Sequence, residues 1–211
     1  MNLHVLPHGP LGTIGYLLTA PERGGAILID APGDIMDSVG PILAREKCKL
    51  TELWLTHAHW DHIQDVRQVV EATGAKVRAH PDDKVLLDDP EIQRFLMFPD
   101  IQLSAVKVDH WLAQGQKFEA LGLTVEIRHV PGHCPGNVLF YFEGLKAAFV
   151  GDSLFCGGIG RTDLPMGDYD TLERSIREQI YTLPKETAVY PGHGDSTTVG
   201  DEREGNPYVS G

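Results

Sequence analysis

The stretch "ELWLTHAHWDH" constrains this chain more than any other part of it. A short apolar run with the character of a buried strand leads straight into His57, His59, Asp61 and His62. Imidazoles and carboxylates set beside a core lose hydration and must find partners there. Beyond them, Ile63, Val66, Val69 and Val70 recur at helical spacing as far as Gly74, which reads as a helix C-cap. The fold must therefore deliver these four polar groups on a loop between a strand and a helix, the position from which rigid scaffolds present chemistry.

The same grammar recurs along the chain. "TIGYLLT" (13–19) and "AILID" (26–30) read as strands joined by a turn-rich segment, with Asp30 at the end of the second. Residues 35–46 carry helical spacing, with Gly40-Pro41 expected to delay or kink that helix. "KVRAH" is a strand, and 82–100 is acidic and irregular with short helical pieces. "LTVEIRHV", "NVLFYFEG" and "KAAFVGD" are three further strands, 168–180 is a helix, and "TAVYPGHGD" closes with a strand and a loop. Strands alternating with helices define an α/β protein. Three more loops at strand ends hold His133 (in "HVPGHCPG"), Asp152 (in "FVGDSLF") and His193 (in "YPGHGD").

Size and charge narrow the class. The chain has 211 residues, which suits one domain spanning 1–211. The net charge is −12 with no basic block, which argues against a nucleic-acid partner, because that affinity rests on neutralising phosphates. No apolar stretch is long enough for a membrane span. The start of the chain lacks a basic and then apolar leader, and three cysteines make no disulfide framework, so a cytoplasmic protein is expected.

Each polar residue has a plain structural alternative. Asp61 would serve as N-cap of the following helix, with Gln64 completing a capping box. Asp152 would cap a turn, and Asp30 would be a strand-end turn carboxylate. His4, His8, His80 and His110 read as surface or structural residues. The group as a whole resists that reading. His57 and His59, two apart in an extended segment, face the same side. Asp61 and His62 follow where the chain turns, so they can face a second point nearby. Seven imidazole and carboxylate ligands crowd one metal and suit two. They favour zinc, with iron or manganese as alternatives, and the lack of thiolates disfavours a closed structural zinc site.

The motif His57-Ala58-His59-Trp60-Asp61-His62 resembles the His-x-His-x-Asp-His signature of metallo-β-lactamase-fold hydrolases. The remaining ligands of that family match His133, Asp152 and His193. The resemblance implies a four-layer αββα sandwich and two divalent metal ions. His57, His59 and His133 would hold the first ion and Asp61, His62 and His193 the second, with Asp152 bridging. "GDSLFCGGIGRTDLPMGD" (151–168) and "PGHGDSTTVGDEREGNPY" are similar to the short type of glyoxalase II, although the chain lacks that enzyme's usual C-terminal helical extension. The implied activity is hydrolysis of a thioester such as S-lactoylglutathione by a hydroxide held between the ions. Asp61 would also orient the hydroxide, as the catalytic side chain.

Relatives can be weighed residue by residue. Flavo-diiron oxidoreductases have Glu where His59 stands, and B1 β-lactamases have Cys where Asp152 stands. Persulfide dioxygenases keep nearly the same ligands and the Gly160-to-Asp163 loop but use one iron, and they are the alternative reading. A metal-binding module without activity is a minor one, since such a module would be expected to lose ligands. Arg161 and Asp163, just beyond Asp152, and then Arg203, are candidates for holding a substrate carboxylate. For Arg161 an internal ion pair is the competing reading. Asp30 is a candidate support for the metal loops.

Overall fold

The computed structural model describes residues 1–211, which divide into two compact units, Met1–Trp111 and Leu112–Gly211. The first is built on a six-stranded sheet of β1 (Asn2–His8), β2 (Thr13–Ala20), β3 (Gly25–Ile29), β4 (Lys49–Trp54), β5 (Lys76–Ala79) and β6 (His110–Trp111), ordered as numbered. β1, β2 and β3 pair antiparallel, and β3 to β6 run parallel. All eight residues of β2 are buried, including Thr13 and Thr19, so it shows no alternation of buried and exposed positions.

Helix α1 (Met36–Glu46) connects β3 to β4 and turns Val39 and Ile42 inward. Pro41 lies inside this helix and neither delays nor ends it. Between β4 and β5 come a single turn, α2 (Trp60–Ile63), and then α3 (Val66–Thr73). Gly74 closes α3 in the left-handed conformation, its N–H bonded to the Val70 carbonyl. The acidic segment after β5 forms 3₁₀ turns at Pro81–Asp83 and Pro90–Leu96 around α4 (Lys84–Asp88), the short pieces expected of it.

The second unit carries another six-stranded sheet. Its strands are β7 (Lys117–Ala120), β8 (Leu123–His129), β9 (Val138–Phe142), β10 (Ala147–Gly151), β13 (Ala188–Pro191) and β14 (Thr197–Thr198). Its order is β14-β13-β10-β9-β8-β7, and only β10 and β13 pair parallel. A small hairpin of β11 (Leu154–Phe155) and β12 (Gly158–Ile159) follows β10. α5 (Tyr169–Ser175) begins at Asp168, whose carboxylate accepts the Thr171 N–H, and widens into a π-helical turn over Ile176–Ile180. Leu172, Ile176 and Ile180 face a core with Leu139, Val150, Leu154 and Val189. α6 (Val199–Gly205) ends the regular structure.

No helix is long and apolar enough to cross a membrane.

Candidate metal centre

Parallel strands end on the same edge of a sheet, and ligands collect beyond those ends. β3 and β4 pair Ile29 with Trp54, so Asp30 emerges beside the start of the loop that carries Thr56 to His62. Asp30 is buried at φ +59°, an uncommon conformation for a residue with a side chain. One of its oxygens accepts the Thr56 N–H at 2.7 Å. The other takes the Thr56 hydroxyl at 2.7 Å and His62 Nδ1 at 2.8 Å. Thr56 Oγ1, its proton committed to Asp30, is left to accept from His57 Nδ1 at 3.1 Å.

One carboxylate thus fixes two imidazoles as Nδ1–H tautomers with a lone pair on Nε2, the form that binds metal. These bonds tie Asp30 to the loop that carries His57 and His62. The rings of His57 and His59 sit 4.8 Å apart edge to face, and those of His57 and His62 4.1 Å apart.

The residue at the N-cap of α2 is His59, whose own side chain makes no capping bond, so the N-cap alternative for Asp61 does not hold. The helix begins one residue before Asp61, and Asp61 turns to Thr13 instead, accepting that hydroxyl at 2.6 Å. His62 Nε2 stands 3.5 Å from Asp61 Oδ2.

The second unit repeats this on its own sheet. β10 and β13 pair Gly151 with Pro191, and Gly192 N–H bonds the Gly151 carbonyl at 2.9 Å, so Asp152 and His193 leave neighbouring strand ends together. His133 lies in the loop from β8 to β9. Asn137 pins that loop by donating to the Val150 carbonyl. Gly160 passes so close that a Cβ there would lie 1.8 Å from the Asp152 carbonyl oxygen and 2.9 Å from His133 Nδ1. That approach lets the Arg161 carbonyl accept from His133 Nδ1 at 2.8 Å, again placing the proton on Nδ1 and the lone pair on Nε2.

His133 Nε2 and His193 Nε2 stand 3.6 and 3.4 Å from the same oxygen of Asp152. These spacings are long for a charge-assisted hydrogen bond, about 2.7–2.9 Å. Two ligands on one tetrahedral zinc, each about 2.0–2.1 Å from it, lie about 3.3–3.4 Å apart. The separations in both units suit cation ligands better than direct hydrogen bonds. Imidazole and carboxylate donors without thiolates fit zinc, iron or manganese.

The candidate substrate residues are engaged within the protein. Arg161 forks onto Asp163 with two bonds of 2.8 Å, and that hydrogen bonding holds the Asp163 carboxyl down at about 2. Arg203 donates to the Tyr181 carbonyl at 3.1 Å. Thr13, Thr56, Asp83 and Gln93 were not singled out by the sequence. Of these only Thr56, adjoining the motif, carried any local signal.

The chain belongs to the metallo-beta-lactamase superfamily, whose family model matches residues 9–193. It has the fold of that superfamily, two mixed sheets flanked by helices, and is a metallo-hydrolase with a His- and Asp-rich metal site. Over its full length it is 35% identical to the hydroxyacylglutathione hydrolase GloC of Haemophilus influenzae, covering 99% of that protein. Among solved structures, BLEG-1, described as a B3 metallo-beta-lactamase, aligns over 100% of both chains with a TM-score of 0.91 and 34% identity. TTHA1623, solved in a di-iron-bound form, aligns over 98% of this chain and 100% of its own with a TM-score of 0.84 and 34% identity.

Proposed function

We propose that the chain is a glyoxalase II-like thioester hydrolase working on two divalent ions. His57, His59 and His133 are assigned to one ion and Asp61, His62 and His193 to the other, with Asp152 shared. The observation that carries this reading is the placement of two imidazole nitrogens at 3.6 and 3.4 Å from one oxygen of Asp152, a spacing suited to a bridging carboxylate. The similarity to a named hydroxyacylglutathione hydrolase over the full chain supports the substrate class. Zinc is the first candidate, and the di-iron form of one relative keeps iron beside it.

The ions, when bound, supply an acidified water, of pKa about 7 for zinc, and a Lewis acid for the thioester carbonyl. The rest falls to the chain's own side chains. Asp61, steadied by the Thr13 hydroxyl, orients the attacking water and takes part in holding its proton. Asp30, through Thr56 and His62, keeps two imidazoles in the ligating tautomer. The departing thiolate needs no general acid, since a thiol pKa of about 8–9 already makes it a good leaving group. Arg161 is assigned to a substrate carboxylate, which it reaches by exchanging Asp163.

The test is a side-by-side assay of the metal-loaded protein with S-lactoylglutathione, with glutathione persulfide plus oxygen, and with a chromogenic β-lactam. Turnover of the thioester to free thiol and acid, well above the other two, is expected. Oxygen uptake with sulfite formation would move the assignment to a persulfide dioxygenase. Turnover confined to the β-lactam would move it to a lactamase.

A further inference from the structure

The segment after β5 reaches back to the metal loop through two buried side chains that no motif marks. Gln93 is 3% exposed and sits in the 3₁₀ turn Pro90–Leu96. Its Nε2 donates to the Ala58 carbonyl at 2.9 Å, and its Oε1 accepts the Trp60 N–H at 3.1 Å. The Asp83 carboxylate, equally buried, accepts the Ala58 N–H at 2.8 Å. The groups so gripped are the peptide carbonyl before the His59 residue and the peptide N–H after it. The Trp60 N–H is also a first-turn donor of α2, a group with no partner inside its own helix.

A primary amide is the side chain suited to this grip, because one planar end accepts while the other donates. An apolar residue of the same size would leave the Ala58 carbonyl and the Trp60 N–H buried and unsatisfied, and a carboxylate would face the carbonyl with the wrong sign. The backbone torsions at His59, φ −66° and ψ 147°, set the direction in which its side chain leaves the backbone. They are held from both sides by a residue 34 positions further along the chain. We infer that Gln93 is a positioning residue for His59, acting through the two flanking peptide groups, with Asp83 as its companion on Ala58. It rests on the assignment of His59 as a metal ligand.

Residues that orient ligands from behind are typically worth about 10- to 100-fold in metal affinity. Metal-free protein is titrated with zinc against a chromogenic chelator, comparing wild type, Gln93→Met, His59→Ala and Val77→Ala. Val77, buried in β5, controls for a general loss of stability. Gln93→Met is expected to weaken one of the two zinc equivalents by about 10- to 100-fold and to leave the other unchanged. Amide exchange should show loss of protection at Trp60. Val77→Ala, with a comparable drop in Tm, should keep both affinities.

Zinc binding in Gln93→Met that follows Val77→Ala would overturn the positioning role. If His59→Ala also keeps both zinc ions, the ligand assignment falls and this inference falls with it. If His59→Ala loses zinc while Gln93→Met does not, the inference alone falls. Should Gln93→Met fail to fold, Gln93→Glu is read in the same way, since it keeps the acceptor for Trp60 and loses the donor to Ala58.

Discussion

Replacing Asp30 by Asn changes one atom and should disturb two metal ligands. The asparagine carbonyl must stay on the Thr56 N–H, because a backbone N–H can only donate. The new NH₂ then faces the Thr56 hydroxyl and His62 Nδ1, where an acceptor stood. His62 Nδ1 must become an acceptor, and its proton moves to Nε2, the nitrogen 3.5 Å from Asp61. Thr56 Oγ1 now accepts from the amide and turns its proton toward His57 Nδ1, so His57 is driven to the same wrong tautomer. Restoring each ligating form sets a donor against a donor and leaves buried groups unsatisfied, about 1–3 kcal/mol, which corresponds to roughly 5- to 150-fold in affinity.

The effect should be largest for the ion assigned to His62, which contacts Asp30 directly, and smaller for the ion assigned to His57. Chelator competition reads both affinities, and ¹⁵N shifts of the imidazoles read the tautomers. Thr56→Val should weaken only the His57 branch. Asp30→Asn protein that binds two zinc ions with wild-type affinity, with both Nδ1 atoms still protonated, would refute the tautomer reasoning.

Three further outcomes follow from the structure. Asp152→Ala should lose both ions and nearly all turnover, whereas His193→Ala should chiefly weaken one, as metal analysis after gel filtration would show. Arg161→Ala should lower kcat/KM for a glutathione thioester by no more than about 5-fold, because exchanging Asp163 for a substrate carboxylate at an exposed site gains little. An equal loss on a thioester without carboxylates would mean that Arg161 braces the loop instead. Tyr181 is buried, and burial pushes its phenol up to about 12 while its hydroxyl donates to the Glu202 and Val209 carbonyls. A raised folded-state pKa gives stability that is complete below the unfolded value, near 10, and is lost as pH rises through 12. Tyr181→Phe should abolish that alkaline loss and cost about 1–3 kcal/mol at neutral pH, measured by urea unfolding.

The candidate ligands were legible because they sit in short local patterns at strand ends: His57 to His62 in one run, His133 and His193 in Pro-Gly-His loops, and Asp152 after Gly151. The strands that carry them were legible as apolar runs. What supports the ligands was not, since a hydrogen bond between distant residues leaves no periodicity. Thr13 lies 48 residues before Asp61, and Gln93 lies in an acidic segment whose short turns sustain no helical period. β1 escaped because it is an edge strand with Leu3 and Val5 exposed and a Pro at position 7, the reverse of a buried alternation. β6 and β14 are two residues long, too short for any pattern. The capping-box alternative for Asp61 fails because α2 starts at Trp60, one residue too early for it.

The central claim, hydrolysis dependent on a pair of ions, is tested most directly by titrating metal-free protein with zinc under argon while following thiol release from S-lactoylglutathione. The account predicts that activity climbs until the second equivalent is bound and then stays level, with no need for oxygen. Activity that saturates at one equivalent, or that appears only when oxygen is admitted, would contradict it.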